Sequence, residues 1–207
     1  MDGLILAGGK SMRMGGRHKG DLVYRNHTFI AHIIREFKKE TEVILISCGK
    51  EIHREYEGCK TLTDIYSDCG PIGGLHAGCS HLRPPICRPS ALPEEGDSEP
   101  VMVAACDMPF LEIDLYRFLK REMEREEYRR SHPVDGVVPI ADGRIHPLAA
   151  IYRKRAGAVF KEQIVAGEYR LAKALKRLDI LYVDILENVE MCGMLRNINT
   201  IREYERL

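Results

Sequence analysis

The segment L-I-L-A-G-G-K-S-M-R-M-G-G-R-H-K-G, residues 4–20, joins a short apolar run to a loop rich in glycine and cations. Five glycines and four Lys or Arg side chains fall between residues 8 and 20. Glycine lets backbone N–H groups turn toward an anion without a Cβ in the way, and Lys10, Arg13 and Lys19 can neutralise its charge. The composition predicts a strand followed by a polyphosphate-binding loop and disfavours the alternative, an ordinary strand-to-helix turn with solvated cations.

Neither of two common nucleotide-binding loops fits this segment. A dinucleotide-binding turn needs the spacing G-x-G-x-x-G, which does not occur between residues 4 and 20. Gly9-Lys10-Ser11 resembles the end of a Walker A loop, but the leading glycine of that motif would fall on Leu4. The segment therefore predicts a third kind of phosphate loop.

The bulk composition limits the class of protein. A chain of 207 residues fits one domain, and its 31 Lys or Arg balance 31 Asp or Glu, so net charge favours neither a nucleic acid nor a membrane as partner. No apolar stretch approaches the ~18 residues of a membrane-spanning helix, and no signal-peptide layout is seen, so we expect a cytoplasmic protein. Seven cysteines without a C-x-x-C pair argue against zinc and fit reduced thiols.

Short apolar runs alternate with helical patterns, which predicts a three-layer α/β sandwich with a mostly parallel central sheet. Strands are predicted at 4–6, 43–46, 60–63, 101–105, 137–138, 148–152 and 181–185, and helices at 28–39, 72–82, 111–129, 154–165, 171–178 and 200–206. We divide this single domain, 1–207, into a nucleotide-binding half at about 1–110 and an acceptor half at about 135–207. Residues 84–100 hold five of the ten prolines, so we expect a flexible insertion there, a tolerated extension rather than a gate.

Acidic residues follow two of the predicted strands. In an open parallel sheet, ligands bind at the carboxyl ends of the strands. Asp107, just after the strand at 101–105, should therefore face the same crevice as the first loop, where a carboxylate suits Mg²⁺ beside a triphosphate. Asp64 and Asp68 precede the glycine-rich segment 70–75, which allows a ligand close to the backbone. The alternative for each is an acidic residue that only stabilises a turn.

These motifs resemble the nucleotidyltransferases with a dinucleotide-binding-like fold, and most closely the molybdenum cofactor guanylyltransferase family. The start of that family, L-A-G-G-x-S-x-R-M-G with a lysine just beyond it, matches residues 6–15 and Lys19. C-D-M-P-F at 106–110 resembles its metal motif, and Asp64 matches an aspartate that contacts the guanosine. The resemblance implies transfer of GMP from GTP to the phosphate of molybdopterin, with release of pyrophosphate.

The resemblance also implies a set of site residues. Arg13 and Lys19 would hold the β- and γ-phosphates, and Asp107 would bind Mg²⁺, so these three are the catalytic candidates. The nucleotide-binding candidates are Leu6, Ala7, Gly8, Gly9, Lys10, Lys19, Ser47, Asp64 and Asp107. Ser47 departs from the family, which commonly has an asparagine there to help read the base, and a serine reaches less far. A related transferase that uses CTP or another phosphorylated acceptor therefore stays open.

The acceptor half offers cations and amides. H-P-L at 146–148 and N-I-N-T at 197–200 resemble family segments, and nine Lys or Arg against two acids in 144–177 would favour an anionic acceptor. The acceptor-binding candidates are His146, Arg170, Asn197 and Asn199. The implied partners are GTP and molybdopterin, with other molybdenum cofactor biosynthesis proteins or recipient molybdoenzymes as protein partners. A non-catalytic nucleotide-binding protein is the alternative from another class.

Overall fold

The computed structural model describes residues 1–8, 18–82 and 99–207. Gly9, Lys10 and Arg13 of the predicted phosphate loop lie outside these ranges. Of the predicted insertion at 84–100, only Glu99 and Pro100 are described, and Pro100 begins a strand.

The described residues form ten strands and seven α-helices. The strands are β1 (Asp2–Leu6), β2 (Val23–Tyr24), β3 (His27–Thr28), β4 (Ile44–Ser47), β5 (Lys60–Leu62), β6 (Pro100–Ala105), β7 (Gly136–Ala141), β8 (Arg144–Ile145), β9 (Ala149–Arg153) and β10 (Ile180–Asp184). The helices are α1 (Phe29–Phe37), α2 (Pro71–Leu82), α3 (Ile113–Arg130), α4 (Ala156–Val165), α5 (Leu171–Leu175), α6 (Val189–Met194) and α7 (Ile201–Tyr204), and a 3-10 turn covers Lys19–Asp21.

The main sheet has the strand order β10-β7-β9-β6-β1-β4-β5, with β8 paired to β7. β1 lies between β6 and β4 and runs parallel to both, with Leu4 opposite Val103 on one side and Leu45 on the other. Among the described strands of this sheet, β8 and β9 run antiparallel to their neighbours. The carboxyl ends of β1, β4, β5 and β6 therefore meet at one edge, and the predicted mostly parallel sheet is confirmed.

Helices cover both faces of the sheet. Alternate residues of β1 point to opposite faces, so Ile5 joins the core under α1 and α3, whereas Leu4 joins the core under α2, α4 and α5. Both residues have no solvent-exposed surface. A strand that is buried on both faces reads as an unbroken apolar run, which is why the sequence predicted a strand at residues 4–6. The predicted three-layer architecture is confirmed.

The predicted elements are present, with shifts of a few residues at their ends. The second strand begins at Ile44 rather than Val43, which is 48% exposed. The 3-10 turn, the β2–β3 hairpin, β8 and α6 were not predicted. Strands of two residues are too short to show periodicity, and α6 has no buried residue and hence no apolar stripe. In the described ranges, no helix is long and apolar enough to cross a membrane.

Candidate active site

A cavity of about 690 Å³ lies at the edge where the parallel strands end. Its lining comes from the last residues of β1, β4 and β6, from the residues that follow β1, β4, β5 and β6, and from the start of α2. His18, Lys19 and Leu148 complete it. Of the predicted nucleotide-binding residues within the described ranges, all line it: Leu6, Ala7, Gly8, Lys19, Ser47, Asp64 and Asp107. The fold therefore brings together residues that lie up to 101 positions apart in the sequence.

Lys19 and Asp107 form an ion pair at the end of β6. The Lys19 ammonium donates to Asp107 Oδ2 at 2.8 Å and to Asn199 Oδ1 at 2.7 Å. The side chains of Lys19 and Asp107 are 26% and 13% exposed, so the pair is largely shielded from water. Asp107 Oδ1 is buried and accepts no hydrogen bond from the described residues. This oxygen is an unsatisfied acceptor in the wall of the cavity.

The last segment of the chain holds Asn199 in place. The Ile198 amide donates to the Asp107 carbonyl at 2.9 Å, and the Ile198 side chain is fully buried. The Glu203 carboxylate accepts a hydrogen bond from the backbone N–H of Asn199 at 2.7 Å. Glu203 also forms a capping box with Thr200 at the start of α7. The spacing of Asn197 and Asn199, two residues apart, predicts both side-chain amides on one face of an extended strand. This prediction is wrong, because residues 196–199 belong to no strand of the structure.

The end of β1 lies close to the turn that follows β4. The Ala7 amide donates to the Ser47 carbonyl at 2.8 Å. A Cβ on Gly8 would lie 2.8 Å from the Gly49 nitrogen and 2.9 Å from the Gly49 Cα, distances that real Cβ atoms do not tolerate. Gly8 is therefore required by the close approach of two backbones at the base of the cavity.

Ser47 and Asp64 form a second polar pair, at the ends of β4 and β5. The Ser47 hydroxyl donates to Asp64 Oδ1 at 2.5 Å, and Ser47 is 2% exposed. Burial raises the pKa of Asp64, and the hydrogen bond from Ser47 opposes that rise. Asp68, which the sequence also singled out, lines the cavity and pairs with Lys50 at 2.5 Å.

The loop after β4 contributes residues that the sequence did not single out. Cys48, Gly49, Lys50, Glu51 and His53 line the cavity, as does His18. The imidazole rings of His18 and His53 lie 4.7 Å apart between centroids, which brings this loop against the segment that leads to Lys19. For the residues from Cys48 to His53, the signal that the sequence offered was their position. They come just after a strand whose last residue, Ser47, was itself a candidate.

Two acceptor candidates lie outside the lining of the cavity. His146 is half-buried, and burial lowers its pKa, so its imidazole is neutral at pH 7. Arg170 precedes α5, and its backbone amide donates to Glu168. The surroundings of His146 and of Arg170 therefore assign neither residue a chemical role.

The positive charges of residues 144–177 are mostly paired. Arg153 pairs with Glu127 at 2.6 Å and Arg155 with Asp135 at 2.6 Å, both acids from outside this segment. Lys154, Lys173 and Arg177 also pair with acids. Within the described ranges, only Arg144, Lys161, Arg170 and Lys176 of the nine make no ion pair. The predicted attraction for an anionic acceptor is therefore smaller than the sequence indicates.

The family model described as "MobA-like NTP transferase domain" matches residues 3–181. The chain belongs to this family. The match includes β1 from Gly3 onward, the Ser47–Asp64 pair and Asp107, so the MobA-like domain contains the whole lining of the cavity. Asn199 lies beyond the matched range.

Curated relatives of this MobA-like chain cover nearly its full length. A Clostridium perfringens protein named "Probable molybdenum cofactor guanylyltransferase" is 32% identical over 208 residues, which cover 98% of this chain and 93% of the relative. A Syntrophotalea carbinolica protein named "Molybdenum cofactor guanylyltransferase" is 29% identical, with 98% and 88% covered.

Solved structures confirm the fold of the MobA-like chain. Molybdopterin-guanine dinucleotide biosynthesis protein A from Archaeoglobus fulgidus superposes with a TM-score of 0.77 at 23% identity, covering 100% of this chain and 96% of that one. The 2-C-methyl-D-erythritol 4-phosphate cytidylyltransferase from Thermus thermophilus superposes with a TM-score of 0.62 at 13% identity, covering 99% and 95%. At these identities the likeness concerns the fold alone.

Proposed function

We propose that the protein is a molybdenum cofactor guanylyltransferase, which moves GMP from GTP to the phosphate of molybdopterin and releases pyrophosphate. The observation that carries this proposal is the Lys19–Asp107–Asn199 cluster in a cavity at the carboxyl ends of parallel strands. Relatives that carry this name and match nearly the whole chain support the choice of substrates. The predicted protein partners, cofactor biosynthesis proteins and recipient molybdoenzymes, stay predictions.

The site has the parts that transfer of a nucleotidyl group needs. A molybdopterin phosphate oxygen attacks the α-phosphorus of GTP, and the bond from that phosphorus to the oxygen bridging the α- and β-phosphates breaks, so pyrophosphate leaves with the electron pair. The nucleophile is already ionised at neutral pH, so no general base is needed. What the step needs is in-line placement and neutralisation of charge on oxygen. Lys19 would bind the phosphates, and Arg13 stays a candidate outside the described residues.

Magnesium is the cofactor that we propose, with Asp107 as its protein ligand. The support is Asp107 Oδ1, a buried carboxylate oxygen that accepts no hydrogen bond from the described residues, since carboxylate oxygen is a ligand type that Mg²⁺ prefers. No group of three candidate ligand side chains occurs in the described ranges, so substrate phosphates and water would complete the coordination. When bound, the ion would supply positive charge against the triphosphate.

Substitution of Asp107 tests this assignment. Asp107→Ala should lower pyrophosphate release from MgGTP and molybdopterin by about 1000-fold, or about 4 kcal/mol of barrier. The same variant should also bind Mn²⁺ more weakly in the presence of GTP. Electron paramagnetic resonance measures this binding. Asp114→Ala is the matched control, because Asp114 lies on α3 with a side chain 60% exposed. Normal turnover and normal Mn²⁺ binding in Asp107→Ala would contradict the assignment.

A second candidate function is the same transfer from CTP. It stays open because of one observation, since Ser47 cannot offer the side-chain amide that the family commonly has at this position. Thermal shifts with GTP and CTP separate the two, because a ligand at 100 times its dissociation constant stabilises a protein by about 2.7 kcal/mol. Stabilisation by CTP but not by GTP would favour cytidylyl transfer, and tight binding without pyrophosphate release would favour a non-catalytic protein.

We also propose a cytoplasmic location. In the described ranges, Cys48, Cys59, Cys69, Cys106 and Cys192 are free thiols, which supports a reducing compartment.

A further inference from the structure

The two ends of the main sheet differ in how they are protected. At one end, β5 is only three residues long and begins with an exposed lysine, Lys60. Short edge strands and exposed lysines are ways in which proteins prevent another strand from adding to a sheet. At the other end, β10 is five residues long, reads I-L-Y-V-D, and contains neither a lysine nor a proline. The β10 strand is therefore an edge at which a further strand can pair.

The free backbone groups of β10 belong to alternate residues. This strand is parallel to β7, and the Ile185 amide donates to the Ile140 carbonyl at 2.9 Å. In a parallel ladder with this register, the odd-numbered residues of β10 direct their N–H and C=O groups toward β7. Ile180, Tyr182 and Asp184 therefore direct theirs away from the sheet. In the described part of the chain, none of these outward backbone groups has a hydrogen-bond partner.

Apolar side chains are exposed along this edge. Tyr182 is 43% exposed in the middle of β10, and Leu186 and Val189, which follow the strand, are 54% and 81% exposed. Leu181 and Val183 are only partly buried against the core under α1 and α3. Large apolar side chains that group at one place on a surface indicate an interface.

The two ends of β10 carry opposite charge. Lys176, just before the strand, is exposed and makes no ion pair in the described ranges, and the Asp179 carboxylate is already paired with Arg130 at 3.2 Å. Glu187 and Glu190, just after the strand, are exposed and make no ion pair with a described residue. Antiparallel pairing with a second copy places the basic end of one strand beside the acidic end of the other, whereas parallel pairing places like charges together.

We propose that two copies of the chain associate through β10, which pairs antiparallel with β10 of the second copy about a two-fold axis at Tyr182. The outward-directed residues are symmetric about Tyr182. In this register Tyr182 faces its own counterpart, and Ile180 faces Asp184 of the second copy. Each of the three residues both donates and accepts a hydrogen bond across the axis, so no outward group of either strand stays unpaired.

The side chains also match in this register. On the other face of the strand, Leu181 lies opposite Val183 of the second copy, an apolar pair of the kind that stabilises sheets. Asp184 lies opposite Ile180, so no two carboxylates of the paired strands face each other directly. The same surface serves both copies, as in the two-fold dimers that are the commonest oligomers of soluble proteins.

Sedimentation velocity of the full chain at increasing concentration tests the association. The unmodified protein should sediment as a dimer at tens of micromolar. Tyr182→Lys places two ammonium groups opposite each other across the axis and should raise the dissociation constant of the dimer about tenfold. Tyr128→Lys is the matched control, because Tyr128 is 90% exposed on α3 rather than on the sheet edge, and this variant should associate like the unmodified protein.

A mixture of two variants tests the register. Because residue 182 faces itself, Tyr182→Lys and Tyr182→Glu each bring like charges together, whereas one copy of each brings opposite charges together. An equimolar mixture should therefore associate about tenfold more tightly than either variant alone. Tyr182→Pro removes an outward N–H but leaves the bonds from β10 to β7 in place, so it should stay monomeric at the same concentration.

Three results would overturn the proposal. The first is an unmodified protein that stays monomeric up to hundreds of micromolar. The second is a dimer whose dissociation constant is the same in Tyr182→Lys and Tyr182→Pro as in the unmodified protein. The third is a mixture of the two charged variants that associates no more tightly than each alone. None of these results bears on the proposed transfer reaction, since β10 contributes no residue to the lining of the cavity.

Discussion

Gly78 lets α2 lie close to the central strand, and its replacement by alanine should destabilise the protein. A Cβ there would lie 2.6 Å from Leu4 Cδ1 and 3.0 Å from Leu4 Cγ, with Cδ2 nearer still. Leu4 is fully buried in β1, so it has no free space into which to move. Overpacking of this kind costs up to about 3 kcal/mol, and alanine in a helix recovers about 1 kcal/mol. We expect a net loss of about 2 kcal/mol.

Urea unfolding at equilibrium measures this loss as a lower midpoint with an unchanged slope. Gly193→Ala is the matched control, because Gly193 also lies in a helix but a Cβ there would meet nothing within 4 Å. That variant should gain up to about 1 kcal/mol from helix propensity. The same substitution should thus have opposite effects at the two sites. A Gly78→Ala protein as stable as the unmodified one would refute the inference that α2 packs on Leu4 too closely to admit a Cβ.

Two further predictions concern buried and shielded charges. Lys154 is buried against the carboxylates of Asp2 and Glu99, so Lys154→Met should lower the free energy of unfolding by about 1–3 kcal/mol at pH 7. Lys154 holds the pKa of Glu99 below its ordinary value, so the ion pair stabilises the folded protein at neutral pH. The stability lost in Lys154→Met, measured by urea unfolding, should therefore shrink as the pH falls below about 4.5 and Glu99 is protonated. Asn199→Ala removes a hydrogen-bond acceptor from the Lys19 ammonium and should weaken GTP binding about fivefold. The free energy of unfolding should change by less than about 0.5 kcal/mol. An unchanged GTP affinity in calorimetric titration would contradict this role of Asn199.

The fold was predictable because its central strands are buried on both faces. Runs such as 4–6 and 101–105 are unbroken apolar sequences between helical patterns, and the register then brings their carboxyl ends to one edge. The α2 helix was also predictable, although its glycines lower helix propensity, because its apolar residues keep the helical period.

The site was predictable where a side chain follows a strand, as for Ser47, Asp64 and Asp107. The partners of those side chains were not predictable from spacing. The Lys19–Asn199 contact joins residues 180 positions apart, and the pairing of Arg153 with Glu127 depends on how α3 packs on the sheet. An excess of Lys and Arg counted along residues 144–177 therefore overestimates the positive electrostatic potential around that segment, since acids from distant segments pair with some of those side chains.

The proposed reaction transfers the α-phosphate of GTP, as part of GMP, to molybdopterin. Incubation with Mg²⁺, molybdopterin and GTP labelled at either the α- or the γ-phosphate tests it most directly. The α-label should appear in a molybdopterin–GMP product and the γ-label in pyrophosphate, in equal amounts. Release of the γ-label as inorganic phosphate, or an α-label that stays in free nucleotide while CTP supplies the transferred group, would contradict it.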